Sequence, residues 1–220
     1  MRYVGRPHAS LQSHSLFHAG RQQLDSSGNG SGRPLNIMQQ MPRIETERLV
    51  LRPFDVADGP TVERLAGVRE VADTTLTIPH PYPAGGGAQW IRAHAGAWER
   101  RDNLALAICD KQSPTELLGA ISLRLSLTHA HAEIGYWIGV AGWGNGFATE
   151  AARSLVAYAF ADLGLHRVQG RHFVRNAASG RVMQKLGMRL EGTHRDAFSR
   201  WGRFEDVAVY AVLKQEWTPA

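Results

Sequence analysis

Apolar side chains recur along this 220-residue sequence with two different periods, and the period identifies the secondary structure of each segment. Alternation of apolar and polar positions marks strands, whereas apolar positions three or four residues apart mark amphipathic helices. The longest helical stripe runs from Thr149 to Leu163 and ends at Gly164. In chain order the predicted elements are strand 48–52, a helix capped by Asp55 and running through Val68, helix 89–101, strands 103–110, 116–125 and 131–140, helix 149–163, strand 166–174, a helix capped by Asn176 and stopped by Gly187, and strands 188–194 and 206–215.

The order of these elements predicts the fold class. Two helices follow the first strand, three strands then follow one another, and helices alternate with strands only in the last third of the chain. A doubly wound α/β sheet requires regular alternation of strand and helix throughout. The sequence therefore predicts an α+β domain with a mixed central sheet.

Residues 1–43 lack a sustained apolar period and are rich in Ser, Gly, Gln and His. A segment of this composition buries too little apolar surface to offset the entropy of ordering it, so we predict a disordered, basic N-terminal extension over residues 1–43. Its Arg and Ser content is shared with transit peptides, and a translation start at Met38 or Met41 is the alternative interpretation. The folded domain is expected over residues 44–217.

Charge and cysteine content narrow the functional classes. The net charge is +5, but residues 1–43 contribute four of these charges, so the folded domain lacks the basic face typical of nucleic-acid-binding proteins. No run of eighteen apolar residues is present, which predicts that no segment spans a membrane. Cys109, the single cysteine, falls in a strand pattern and is expected to be a small core residue in a reducing compartment. The scattered histidines lack metal-ligand spacing.

A glycine-rich turn joins a predicted strand to the longest predicted helix. Gly142, Gly144 and Gly146 allow the backbone to approach a ligand closely, and the first turn of a helix leaves backbone N–H groups unpaired. This combination predicts an anion site suited to a pyrophosphate, to which the Thr149 hydroxyl adds a donor. The turn lacks the Gly-Lys-Ser/Thr of a Walker motif and does not lie inside a βαβ repeat. A turn without any ligand is the alternative at this point.

The segment Trp143–Ala151, with the sequence WGNGFATEA, resembles the acetyl-CoA signature of the GNAT superfamily of N-acetyltransferases. The resemblance is greatest to the Rim-type branch, which contains the ribosomal-protein N-acetyltransferases. Trp143 replaces the first polar residue of the general pattern Gln/Arg-x-x-Gly-x-Gly/Ala. Further matching segments occur in the family order over residues 44–217, namely Glu45–Arg52, Gly135–Ile138, Asn176–Met188 and Glu191–Gly192.

The resemblance implies a GNAT fold, with a mixed sheet of about seven strands and about four flanking helices. In this fold the fourth and fifth strands, here 131–140 and 166–174, are splayed apart. It also implies acetyl-CoA as the acyl donor, with the pantetheine arm in that gap and the pyrophosphate at the glycine-rich turn. The residues implied to bind acetyl-CoA are Ile138, Gly139, Val140, Trp143, Gly144, Asn145, Gly146, Phe147, Ala148, Thr149 and Asn176.

The family resemblance further implies that an amine attacks the thioester directly within a ternary complex. Such a reaction requires a base for the ammonium proton, and Glu133 is the expected base. A structural carboxylate in a salt bridge is the alternative interpretation of Glu133. Asp196 and Glu205, in the loop predicted before the last strand, are the next candidates.

The leaving thiolate requires a proton, and the family resemblance implies a donor in the helix that follows Asn176. Met183 occupies the position of the tyrosine that many family members use, so Ser179 is the expected donor. His80 and Tyr82, in a proline-rich loop, are expected to form part of the wall of the acceptor site.

These features together predict an acetyl-CoA-dependent N-acetyltransferase that acts on a primary amine. The expected acceptor is the α-amine of a protein N terminus, with a small-molecule amine such as an aminoglycoside, an amino acid or a polyamine as the alternative. A non-catalytic acyl-CoA-binding module is the alternative from another functional class. We expect no metal, no nucleic-acid or membrane partner, a monomer or homodimer, and a cytoplasmic location.

Overall fold

A computed structural model describes residues 40–218, so the predictions for residues 1–39 lie outside the described residues. Eight strands and five helices form over residues 40–218, where the resemblance implied about seven and four. The predicted order is confirmed, and the additional elements β1 and α2 are too short to show a period. In chain order the elements are β1 (Ile44–Glu45), β2 (Leu49–Arg52), α1 (Gly59–Ala66), α2 (Arg69–Ala72), α3 (Gly86–Glu99), β3 (Asn103–Asp110), β4 (Leu117–Ser126), β5 (His131–Ile138), α4 (Phe147–Ala161), β6 (Arg167–Phe173), α5 (Ala177–Lys185), β7 (Arg189–Arg200) and β8 (Arg203–Leu213).

The eight strands form one mixed sheet in the order β1-β2-β3-β4-β5-β6-β8-β7. Neighbouring strands are antiparallel except β5 and β6, which run parallel because the connection through α4 returns the chain to the same end of the sheet. This arrangement confirms the predicted α+β class and the GNAT fold.

Helices cover both faces of the sheet, and the central strands are therefore apolar on both sides. In β3, Leu106 and Ile108 belong to the core formed with α4 and α5, whereas Ala107 and Cys109 belong to a smaller core formed with α1 and α3. Cys109 is fully buried, as predicted. None of the helices within residues 40–218 is long and apolar enough to cross a membrane.

The last two strands form a long hairpin, where the sequence predicted a loop between residues 194 and 206. β7 continues to Arg200, and the chain reverses at Trp201 and Gly202, whose φ angles are 48° and 78°. A bulge between His194 and Phe198 shifts the register. The loop prediction was wrong because β7 is the edge strand of the sheet and most of its side chains are exposed, so no apolar alternation reveals it.

β5 and β6 separate part-way along their length. Their backbones pair from His131–Arg167 to Ile134–Gly170, and within residues 40–218 the pairing does not continue beyond that point, although both strands do. The predicted splay between these two strands is confirmed. The gap lies in the middle of the sheet and connects its two faces.

Candidate active site

The segment 143–149, here called the phosphate loop, follows a 3-10 turn at Val140–Gly142 and includes the first three residues of α4. Gly144 and Gly146 have φ angles of 79° and 80°, a left-handed conformation that glycine adopts at little cost. The first hydrogen bond of α4 runs from Glu150 N to Gly146 O, so the N–H groups of residues 147–149 precede the helical ladder. The phosphate loop therefore has the backbone geometry of an anion site at a helix N-terminus.

Arg48 braces the phosphate loop from the turn between β1 and β2. Its guanidinium donates to Asn145 O at 3.1 Å and forms an ion pair with Glu150, with Nη2 2.6 Å from Oε2. It also lies 4.9 Å from the centre of the Phe147 ring. Thr46 Oγ1 donates to the Glu150 carboxylate at 2.6 Å. These contacts fix the first turn of α4 against the strand that begins the domain.

The pKa of Glu150 is lowered by the same contacts with Arg48 and Thr46. Burial alone would raise the pKa of Glu150, but hydrogen bonds from Thr46 and Arg48 outweigh that effect and hold the pKa below its ordinary value of 4.5. The ionised carboxylate stabilises the fold above that value, and this stabilisation is lost as the pH falls below it. A carboxylate in the first turn of α4 also interacts favourably with the helix dipole.

The phosphate loop follows directly on the open edge of β5. Gly139 N donates to Leu118 O at 2.9 Å, so this amide belongs to the pairing with β4 and does not face the gap. Because antiparallel pairing engages alternate residues, the amides of Tyr136 and Ile138 face the gap instead. Trp143 Nε1 donates to Ile138 O at 2.7 Å and ties the phosphate loop to the end of the strand. A contact of Gly139 with acetyl-CoA through its amide does not fit this pairing, and Gly139 stays a predicted contact through its other atoms.

A cavity of about 720 Å³ lies between the sheet, α1 and α3, and it reaches into the gap between β5 and β6. Tyr82, Trp90 and Trp137 give the cavity aromatic walls. The roof segment, residues 72–79, closes one side through its residues 74–79. Ligand sites in proteins commonly have volumes of about 300–1,000 Å³, so this cavity has room for a small molecule or the first residues of a peptide.

Two arginines hold the roof segment in place. Arg175 forms ion pairs with Asp73 at 2.7 Å and with Glu205 at 2.9 Å. Arg200, at the end of β7, donates to three backbone carbonyl oxygens at 2.5–3.2 Å, namely those of Ala72, Leu76 and Ile78. The β7–β8 hairpin therefore helps to fix this wall of the cavity. The sequence predicted a loop over part of that hairpin.

Glu133 lies on the cavity wall beside the gap. Its Oε1 is 2.7 Å from Arg171 Nη2, and its Oε2 accepts a hydrogen bond from Gln169 Nε2 at 3.1 Å. Arg171 also lines the cavity, with its guanidinium 5.8 Å from the centre of the Phe198 ring. The carboxylate thus faces the cavity, and its ion pair is what the structural alternative requires.

The first turn of α5 forms the wall on the other face of the gap. Asn176 caps this helix as predicted, because its Oδ1 accepts from Ser179 N at 3.2 Å and its Nδ2 donates to Ser179 Oγ at 3.1 Å. Tyr136 OH donates to Ser179 O at 3.3 Å. Ser179, Tyr136 and Met183 all line the cavity, so two hydroxyl groups lie on this wall.

Three candidate residues lie away from the reacting centre. His80 is absent from the cavity lining, and its Nδ1 lies 2.7 Å from Gly67 O, so it supports the roof segment instead of forming a wall. Glu205 is buried in β8 and paired with two arginines. Asp196 is exposed at the bulge of β7. Tyr82, in contrast to these three residues, lies in the cavity wall.

The histidines of the described chain do not converge on one site. His94 is buried at the back of the cavity, with its ring centre 4.3 Å from that of Trp90, and burial lowers its pKa to about 4. His94 is therefore neutral at physiological pH. Within residues 40–218, no group of three or more His, Cys, Asp or Glu side chains is placed to hold a metal ion.

Three residues of the site, Arg171, Tyr136 and Arg48, were not predicted from the sequence. Arg171 follows Gln169 at a spacing of two in β6, and this alternation would have placed both side chains on the face that carries Glu133. Tyr136 lies within a segment that matches the family, but no role was inferred for it. No local pattern indicates the contact of Arg48 with Glu150, because 102 residues separate them in the chain.

The phosphate loop, the gap and the capped helix α5 occur together in a region that matches a known domain. The model of the acetyltransferase (GNAT) domain family matches residues 48–189. The chain belongs to the GNAT acetyltransferase family. The uncharacterized N-acetyltransferase YoaA of Bacillus subtilis (strain 168) is 30% identical over 183 residues, which cover 79% of this chain and 97% of YoaA.

Solved acetyltransferase structures share the fold of this GNAT domain. RimL, a ribosomal L7/L12 α-N-protein acetyltransferase in complex with coenzyme A, has a TM-score of 0.71 and 21% identity, covering 78% of this chain and 98% of RimL. A spermidine N-acetyltransferase from Vibrio cholerae in complex with CoA and spermine has a TM-score of 0.68 and 22% identity, with the same coverage. The chain is an acetyl-CoA-dependent N-acetyltransferase of the GNAT type, as the sequence predicted.

Removal of the Arg48 side chain is expected to weaken acetyl-CoA binding. Arg48→Ala deletes charge-assisted hydrogen bonds, each worth about 1.5–3 kcal/mol, that hold Asn145 and Glu150 in place. We expect the KM for acetyl-CoA to rise about tenfold, with a smaller change in kcat, in steady-state assays of thiol release.

Arg43→Ala is the matched control, since Arg43 is exposed and its only ion pair, to Glu45, spans 3.6 Å among the described residues. Arg48→Lys keeps the charge but loses the planar fork and is expected to be intermediate. An Arg48→Ala enzyme with an unchanged KM for acetyl-CoA would contradict the proposed brace.

Proposed function

We propose that the acetyl acceptor is the α-amine at the N terminus of a protein or peptide. The main support for this proposal is the cavity beside Glu133, which opens into the gap. Its volume of about 720 Å³ is larger than the volume that a simple amine occupies. Its lining combines aromatic walls with Thr74, Thr75 and Thr77. The hydroxyls of Thr74 and Thr75 donate to Val71 O and Ala72 O, so their oxygens suit the N–H groups of a peptide backbone as acceptors. RimL, which has the same fold, acts on a protein α-amine by its name.

A small-molecule amine is the second candidate acceptor. The roof segment supports this alternative, because Arg175 and Arg200 fasten it across one side of the cavity and narrow the route for a folded protein. The spermidine N-acetyltransferase with the same fold acts on a polyamine by its name. Fold alone does not set the substrate, so the two candidates require a direct comparison.

In the proposed mechanism the acceptor amine binds beside Glu133. Glu133 accepts the ammonium proton, directly or through one water molecule, and leaves the neutral amine as the nucleophile. Arg171, 2.7 Å from Glu133, assists because a neighbouring positive charge disfavours the ammonium form. In this proposal the ion pair orients the Glu133 carboxylate beside the acceptor.

The neutral amine then attacks the thioester carbonyl of acetyl-CoA in the gap. The phosphate loop and Asn176 hold the donor, and the Ile138 amide, which faces the gap, stabilises the developing oxyanion. The carbon–sulfur bond breaks, and the thiolate takes a proton on the α5 wall, where Ser179 Oγ and Tyr136 OH lie. No covalent enzyme intermediate is needed.

The proposal also covers the bounds of the catalytic domain, its location and its oligomeric state. We assign catalysis to residues 44–217, because β1 begins at Ile44 and the Trp217 ring lies 5.9 Å from that of Phe160 in the core. We propose a cytoplasmic enzyme, a monomer or homodimer, that requires no nucleic acid. The extension predicted over residues 1–43 is assigned no part in the chemistry, although its last residues, 40–43, are described and Met41 packs against the core.

A panel of acceptors tests the proposed substrate class. We expect acetyl-CoA thiol release to be stimulated most by short peptides with a free N terminus, and much less by aminoglycosides, free amino acids or polyamines. N-terminally blocked copies of the same peptides are the matched control and should give no stimulation. Greater stimulation by a small amine would favour the second candidate, and the same panel run on residues 44–217 tests the domain boundary.

Glu133→Gln tests the assignment of the base. The amide cannot accept the ammonium proton, so we expect kcat/KM for the acceptor to fall about 100-fold or more and the acidic limb of its pH profile to disappear. Glu99→Gln, at the exposed end of α3, is the matched control. A Glu133→Gln enzyme that keeps the wild-type pH profile would assign Glu133 to a structural role.

A further inference from the structure

We propose that Tyr136, to which the family resemblance assigned no role, is the general acid that protonates the leaving thiolate of coenzyme A. This inference rests on the proposed transfer in the gap between β5 and β6. Tyr136 lies two residues beyond Ile134, the last residue of β5 that pairs with β6. Its side chain lines the cavity together with Ser179 and Met183 on the α5 wall.

The hydrogen bonds on this wall distinguish Tyr136 from Ser179. Tyr136 OH donates to Ser179 O at 3.3 Å, which is long for an O–H···O hydrogen bond, where about 2.7–2.8 Å is usual. The phenolic proton is therefore weakly held and available to a stronger acceptor. Ser179, in contrast, is engaged twice by Asn176, at its amide and at its hydroxyl oxygen, as part of the helix cap.

The chemistry of the two hydroxyl groups favours the phenol as donor. A tyrosine phenol has an ordinary pKa of about 10 and a cysteine-like thiol of about 8.5, so a proton moves between them at modest cost. An alkyl hydroxyl such as that of Ser179 is far less acidic than either. A serine donor would need strong activation of its hydroxyl by a neighbouring group, and Asn176 provides a hydrogen bond to the oxygen without accepting the proton.

Burial raises the pKa of the proton donor, Tyr136, and also that of the proton acceptor, the thiol of coenzyme A. It raises the pKa of Tyr136 to about 12, against the opposing effect of a hydrogen bond with the Ser179 side chain. Tyr136 is therefore protonated at physiological pH. The same desolvation raises the pKa of a thiol released into the gap, so the phenol remains an adequate donor.

The transfer exchanges one carbon–sulfur bond for one carbon–nitrogen bond. The amine nitrogen bonds to the acetyl carbon, the carbon–sulfur bond breaks, and its electron pair passes to sulfur. The Tyr136 proton moves to sulfur and yields the free thiol. The nitrogen loses its second proton to water as the amide forms, because Glu133 already carries the ammonium proton, which it releases to solvent before the next turnover. The phenolate is reprotonated by solvent before the next turnover, so no further reactant is needed.

Tyr136→Phe tests the inference because it removes only the hydroxyl group. We expect kcat to fall about 100-fold and the KM for acetyl-CoA to change less than about threefold. Because the pKa of Tyr136 is raised to about 12, ionisation of its phenol gives the wild-type kcat–pH profile an alkaline limb only near that pH. Replacement of Tyr136 by 3,5-difluorotyrosine, a more acidic phenol, should retain turnover and move that limb to lower pH, a shift that a structural role would not produce.

Tyr158→Phe is the matched control, since Tyr158 lies in α4 outside the cavity lining and should keep the wild-type rate and profile. The inference is overturned if Tyr136→Phe keeps kcat within about threefold of wild type. It is also overturned if 3,5-difluorotyrosine at position 136 does not move the alkaline limb, or if Ser179→Ala, and not Tyr136→Phe, lowers kcat about 100-fold.

A second measurement does not depend on turnover. In protein labelled with [13Cζ]tyrosine, the NMR signal that is missing from Tyr136→Phe should shift when coenzyme A binds, while that of Tyr158 should not. An unshifted Tyr136 signal in the coenzyme A complex would overturn the inference. Failure of wild-type protein to acetylate any amine would instead count against the proposed function.

Discussion

The separation of β5 from β6 beyond Ile134 and Gly170 is the constraint on which the rest of the site depends. Had this parallel pair remained closed, the sheet would have satisfied the backbone groups of Tyr136 and Ile138 internally, and no edge would face a ligand. The strands can separate because each keeps an antiparallel partner on its other side, β5 with β4 and β6 with β8. The gap also joins the two faces of the sheet, so a donor and an acceptor can meet in it from opposite sides.

Three arginines hold together segments around the gap that are far apart in the chain. Arg48 joins the first strands to the phosphate loop, and Arg175 and Arg200 join the last hairpin to the roof segment. Isolated surface ion pairs contribute little, about 0–1 kcal/mol, but these guanidinium groups each contact several acceptors, backbone carbonyl oxygens among them. Their effect is to fix positions more than to add stability, and this pre-organisation is what a site for a ternary complex requires.

Elements with a strong apolar period were predictable from the sequence. The strand 103–110 was predicted at its observed bounds, and helix 149–163 lies within two residues of the observed Phe147–Ala161. The phosphate loop and the Asn176 cap were predictable because each depends on neighbouring residues. The exposed edge strand β7, the ion pair of Glu133 with Arg171 and the brace of Arg48 were not, since each depends on contacts between distant segments. The acceptor is the least predictable part, because its cavity is lined by residues from α1, the roof segment, α3, five strands and α5.

Hydrogen–deuterium exchange with and without coenzyme A tests the role of the gap most directly. Exchange of the amides of Tyr136 and Ile138, and of residues 147–149 in the phosphate loop, is expected to slow when coenzyme A binds, because these groups gain hydrogen-bond partners. The amide of Gly139, already paired with Leu118, should change less. Unchanged exchange of Tyr136 and Ile138 in the saturated complex would contradict the account of a donor site built on the open edge of β5.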